Sequence, residues 1–163
     1  MRRITEHPVS DENVRLIKSC ATQAACVLSV DIEHNTPTQV LGEVDKCIYN
    51  LQHGKHTELV EGEDPPFLLG SLWGEMLCRE LGWKWAQVIF HDHDDSEAVG
   101  VFSPNRSLAI YPFHFIYGCL ENEAPVTIEL AFNMLADGAK VPDLPPNGYE
   151  NVMDNVHHVV PRD

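Results

Sequence analysis

At 163 residues the chain is the size of one ordinary domain, large enough to bury a core without a disulfide or a metal. An apolar fraction of 44% argues against compositional disorder. Eleven basic against 25 acidic residues leave a net charge of −14, which repels nucleic-acid phosphates and anionic lipid and attracts basic partners.

The N-terminal Met1-Arg2-Arg3, followed by Ile4, Thr5, Glu6 and His7, contains no apolar h-region, so a secretory signal is not expected. No apolar run approaches the length of a membrane span. The five cysteines, Cys20, Cys26, Cys47, Cys78 and Cys119, are odd in number and show no CxxC spacing. They read as small buried hydrophobes in a reducing compartment, with the cytoplasm as the expected location.

A first helix is predicted from Ser10 or Asp11. Val14, Ile17, Ala21, Ala24 or Ala25, Leu28 and Ile32 recur at helical spacing, with Asp11 and Glu12 at the positive end of the dipole. A second starts at Thr36-Pro37-Thr38-Gln39, a capping box with proline at the first helical position. Its stripe is Val40, Leu41, Val44, Cys47, Ile48 and Leu51, and Gly54 is its stop. The two helices are predicted to form an antiparallel hairpin over residues 1–54. Residues 55–66 read as a polar, acidic linker.

A third helix is predicted over about Pro66 to Leu81, with Leu69, Leu72, Trp73, Met76, Leu77 and Leu81 inward and Gly82 as terminator. Gly70 and Gly74 share one face. Each costs about 1 kcal/mol against alanine in a helix, and close approach of another backbone is the expected compensation. The pattern then changes to strands at Trp83–Phe90, Ala98–Phe102 and Ser107–Tyr111, joined by turns at 91–96 and 103–106. A three-stranded antiparallel meander follows. Beyond Pro112 the helical period returns, first at Phe113, Ile116, Tyr117 and Leu120. It recurs at Val126, Leu130 and Met134, with Phe132 and Leu135 beside them and Gly138 as stop. Residues 138–163 read as an extended tail docked through Tyr149, Val152, Met153 and Val156. The predicted class is α+β, a single domain: helical hairpin 1–54, helix–meander–helix core 66–137, tail 138–163.

Catalytic signatures are missing from the sequence. Gly70-Ser71-Leu72-Trp73-Gly74 has leucine where a nucleophile elbow needs serine. There is no GxxxxGK[ST], no GxGxxG and no HExxH. Cys78 lies beside a helix stripe and reads as packing rather than as a nucleophile. His91 and His93, two apart, would point to one side of a strand and could share a metal. A further ligand would have to come from elsewhere, for example His157 or His158. The cluster His91-Asp92-His93-Asp94-Asp95 with Glu97 reads better as negative charge on an exposed loop, so neither a metal nor a cofactor is expected.

Residues 91–163 hold 12 acidic residues against three basic ones, a balance of −9. Asp92, Asp94, Asp95 and Glu97, joined by Glu121 and Glu123, would form an acidic face that steers a basic protein. Trp73, Trp83 and Trp85 read as core.

Leu69-Gly70-x-x-x-Gly74-Glu75, then Leu81-Gly82-Trp83-Lys84-Trp85, Ser103-Pro104 and Ile110-Tyr111-Pro112 together resemble a family of small bacterial domains of unknown function. The resemblance runs from Leu69 to about Leu135, under half the chain, and leaves out the N-terminal helix pair. It implies kinship with the small acidic immunity proteins of bacterial toxin systems and brings no catalytic residues. The function expected is a non-catalytic module that neutralises a basic toxin domain by covering its surface. The alternative is a metal-binding protein or hydrolase using His91 and His93. A homodimer through the helix pair is compatible with either.

Overall fold

A computed structural model describes residues 4–59, 62–122, 125–137 and 144–155. Six helices and five strands follow in the order β1 (Ile4–His7), α1 (Asp11–Val27), α2 (Pro37–Gln52), α3 (Pro65–Leu81), β2 (Lys84–Phe90), β3 (Ser96–Phe102), β4 (Leu108–Ile110), α4 (Pro112–Asn122), α5 (Ile128–Asp137), β5 (Glu150–Asn151) and α6 (Val152–Asn155).

Local chemistry sets the helix ends. Ser10 Oγ accepts from Asn13 N–H at 3.2 Å and opens α1. The helix closes at Val27, followed by Ser29 in a left-handed conformation (φ 57°), so Ile32 lies past its end rather than on its stripe. Thr36 and Gln39 form the capping box of α2. Gly54, at φ 65°, lies just past its last turn. Asp64 accepts from Phe67 N–H ahead of Pro65 and Pro66, and Gly82 ends α3 at φ 71°.

α3 is the central helix. Leu69, Leu72, Trp73, Met76 and Leu77 are fully buried. The small face of α1, Ala21, Ala24 and Ala25, lies along α3, while α2 packs mainly on α5 and α4. The predicted hairpin partner of α1 is thus replaced by α3, because an alanine face admits a neighbouring helix closely. Among the cysteines, Cys47 and Cys119 are buried and Cys20 and Cys78 half-buried, but Cys26 is exposed, against expectation.

The glycine face of α3 is approached mainly by rings, and at Gly70 also by the expected backbone, the amide nitrogen of Phe113, 3.3 Å from where a Cβ would stand. A Cβ on Gly70 would lie 2.7 Å from the Phe113 ring, and one on Gly74 would collide with the ring of Trp85. Those rings stack on each other at 5.6 Å, and Phe67 stacks on Phe113 at 5.0 Å. The aromatic layer therefore fastens α3, β2 and α4 together.

The sheet order is β1-β2-β3-β4-β5. The expected meander, β2-β3-β4, forms its antiparallel centre: Lys84 pairs with Phe102 through to Phe90 with Ser96, and Val101 pairs with Ile110. Two short edge strands extend it. β1 runs antiparallel to β2 (Ile4 opposite Phe90), and β5 runs parallel to β4 (Leu108 opposite Glu150). The sheet is thus mixed and five-stranded. The predicted extended tail contributes β5 and α6, and its docking residues Val152 and Met153 are buried. Val156 and Gly138, and with them the predicted stop of α5, lie outside the described residues.

Side chains alternate across the pleat. Trp85, Val101 and Ile110 join the helical core, while Ala86, Val88, Phe102 and Ala109 form a second, smaller core on the other face. Tyr149 covers that face, edge-on to Phe102 at 5.5 Å. There Glu6 accepts from Arg106 Nε at 2.8 Å and Nη2 at 3.1 Å, and from the Tyr149 hydroxyl at 3.1 Å. The guanidinium holds the Glu6 carboxyl below its usual range, against the opposing effect of burial. Burial, with the neighbouring Glu6 carboxylate, raises the Tyr149 phenol.

Candidate functional site

The β2–β3 connection carries the densest negative charge. β2 ends at Phe90, and residues 91–95 form the turn, closed by His93 N–H to Phe90 O and Ser96 N–H to His93 O, both 3.1 Å. Asp94 and Asp95 take φ of 56° and 54°. Aspartate tolerates this left-handed region better than most side chains, so the charged residues also have a conformational reason to be there. Asp92, Asp94, Asp95 and Glu97 are all exposed. Glu97 stands on β3 rather than in the loop.

The turn does not present His91 and His93 as a strand pair would. His91 is held on both ring nitrogens: Thr5 Oγ1 lies 2.6 Å from Nε2 and Asp95 Oδ1 lies 2.7 Å from Nδ1. His93 is exposed at the turn. Neither nitrogen of His91 is left for a metal without breaking one of these bonds. Among the described residues no group of three or more His, Cys, Asp or Glu side chains is placed to hold a metal ion. His157 and His158 lie outside the described residues. Thr5, His91 and Asp95 stand in the order of a proton relay, but neither Thr5 nor His91 lines the cleft beside the turn. The chain of bonds joins β1 to the turn.

Beside the turn lies a cleft of about 480 Å³, between the start of β3, the first turn of α4 and the C-terminal segment. Glu97, Ala98, Tyr111, His114, Asn151 and Met153 contribute to its wall. Glu121, exposed at the end of α4, is seven residues beyond His114, two turns along the same helix face and about 10 Å away. Four of the six predicted acidic residues are thus gathered on one hairpin, Glu121 stands apart, and Glu123 lies outside the described residues. His114 and Asn151 escaped sequence reasoning. The Tyr111-Pro112 start of α4 was a usable signal for His114, since it fixes which residues occupy the helix's first turn. Nothing local pointed to Asn151.

A second hollow, of about 470 Å³, is lined by Asp45, Lys46, Tyr49, His53 and Val126. Tyr49 stacks on His53 at 4.1 Å. Asp45 accepts from Ile128 N–H at 3.1 Å and Glu129 N–H at 3.0 Å, capping α5 from α2. Burial outweighs those two bonds and pushes its carboxyl up to about 6. A third, of about 260 Å³, lies beside Cys47 and His56.

Burial pushes the thiols of Cys47 and Cys119 up to about 11 and that of Cys78 up to about 12. None of these three is a thiolate at neutral pH, the form a nucleophile needs. No helix among the described residues is long and apolar enough to cross a membrane. In comparisons with known proteins, no family model, no curated protein and no solved structure matches the chain.

Proposed function

We propose that the chain is a non-catalytic, acidic protein-binding module, of the immunity type, that neutralises a basic toxin domain by covering its surface. The observation carrying this reading is the hairpin tip. Asp92, Asp94, Asp95 and Glu97 are exposed within six consecutive residues at the end of the β2–β3 hairpin. Concentrated charge of one sign raises the encounter rate with an oppositely charged partner. The adjoining cleft offers relief for shape complementarity, and the hydrogen-bonded state of His91 weighs against the alternative metal site. Kinship with toxin-immunity domains remains part of this proposal and rests on the glycine, Trp-x-Trp and Tyr-Pro pattern of the sequence.

The test is association with the product of a toxin-like gene neighbouring its own, followed by stopped flow. Asp94→Lys with Asp95→Lys is expected to slow association at low salt by about tenfold while the unfolding midpoint stays where it was. An unchanged on-rate at low salt would remove the acidic hairpin from the mechanism.

A further inference from the structure

Among the described residues, the outer edge of β3 is an incomplete ladder. Ser103 N–H donates to Leu108 O at 3.1 Å, so the odd-numbered residues of β3 turn their amide and carbonyl toward β4. Val101 faces Ile110. Continuing that register sets Val99 opposite Pro112 and Glu97 opposite His114. Pro112 has no N–H to give, and it opens α4, which carries the chain out of the sheet. As a result β4 pairs with only Val101 and Phe102 of the seven residues of β3. The start of this edge, Ser96 to Ala98, forms part of the 480 Å³ cleft described above.

We propose that this edge accepts an extended segment of a partner protein as an added strand, a segment alternating basic and apolar side chains. The proposal rests on the protein-binding reading and specifies its mode. Two features select the occupant. The outward amides and carbonyls of Glu97 and Val99 are spaced for a backbone, and main-chain pairing is what strand addition supplies. The two faces beside the edge differ in chemistry. Glu97 lies on one, next to the carboxylates of the turn; Ala98, Phe90 and Tyr111 lie on the other, in the smaller core. An added strand would therefore set the side chain opposite Glu97 against negative charge and its two neighbours, opposite Ser96 and Ala98, on the face of the apolar Phe90 and Tyr111. Ser96 to Ala98, the part of the edge that lines the cleft, is about 10 Å of strand, room for three residues of the incoming chain.

The experiment uses the full chain and a fluorescein-labelled octapeptide alternating lysine and valine, read by anisotropy. Three control peptides carry the same charge: one N-methylated at its valines, one N-methylated at its lysines, and one alternating lysine with proline. The first peptide is expected to bind saturably. The proline peptide and one of the two methylated peptides are expected to bind about tenfold or more weakly, because the lost N–H groups face β3. Val99→Pro should weaken the first peptide to the same degree. If that variant does not fold, the methylated pair on the wild-type protein still decides the matter. Equal binding by all four peptides, lost together in Asp94→Lys with Asp95→Lys, would sink strand addition and leave the acidic-surface reading standing. Absence of binding by the lysine–valine peptide overturns the proposal. So does binding that emerges only after residues 156–163 are deleted, which gives the edge to the chain's own end. A dimer that Val99→Pro splits overturns it in favour of a second copy.

Discussion

Gly74 and Gly118 are both helical glycines, and the surroundings separate them. A Cβ at Gly118 meets nothing within 4 Å, whereas one at Gly74 collides with the indole of Trp85. Helix propensity alone favours alanine at either position by about 1 kcal/mol. At Gly74 that gain is overwhelmed, since Trp85 is clamped between the helix and the Phe113 ring. Gly118→Ala is expected to stabilise the protein by about 0.5–1 kcal/mol in urea titrations. Gly74→Ala is expected to destabilise it by about 2–3 kcal/mol. Effects of the same sign would show that the ring layer yields to the added methyl. The four-residue spacing of Gly70 and Gly74 was legible in the sequence as a close approach. What approaches was not, because Trp85 and Phe113 reach the glycines only through the packing of β2 and α4.

At the level of elements, the start of α2 was legible because Thr36, Pro37 and Gln39 complete their capping within four residues. The start of α5 depends on Asp45, which reaches its backbone from 83 positions earlier in the chain, and no local pattern could announce it. β1 and β5, with four and two residues, are too short to show a period, and their register comes from the strands they border. Asp45 also gives the helix pair a pH dependence. Its folded value, pushed up to about 6 from 3.8, means that the folded protein holds this proton more tightly than the unfolded chain does. The stabilisation is complete below the unfolded value and is lost as pH rises through about 6. Measured against Asp45→Asn, wild-type unfolding free energy is expected to fall by about 2 kcal/mol between about pH 4 and pH 7. A difference that stays flat across that window would show that the carboxyl is not desolvated in the fold.

For the whole molecule, the acidic hairpin was legible since its charges are contiguous. The cleft was not, because its walls come from residues 96–98, 111–115 and 151–153 and meet only after the sheet and α4 are in place. The two margins of the sheet are linked by a contact equally remote in sequence: Glu6 of β1 receives both Arg106, from the β3–β4 turn, and Tyr149, next to β5. Arg106 additionally donates to Ser103 O at 2.9 Å, so the turn itself is braced. Arg106→Met is expected to raise hydrogen exchange at the β1 amides and protease cleavage within residues 144–155 together. A rise at one site alone would mean that the two margins are held separately. The Glu6 carboxyl sits below its ordinary value, so its contribution is present at neutral pH and disappears as pH falls through that lowered value. A single buckle thus fastens the first and last strands at once. Acid or a mutation that undoes it is expected to loosen both hems of the sheet together, although each keeps its own seam, β1 with β2 and β5 with β4.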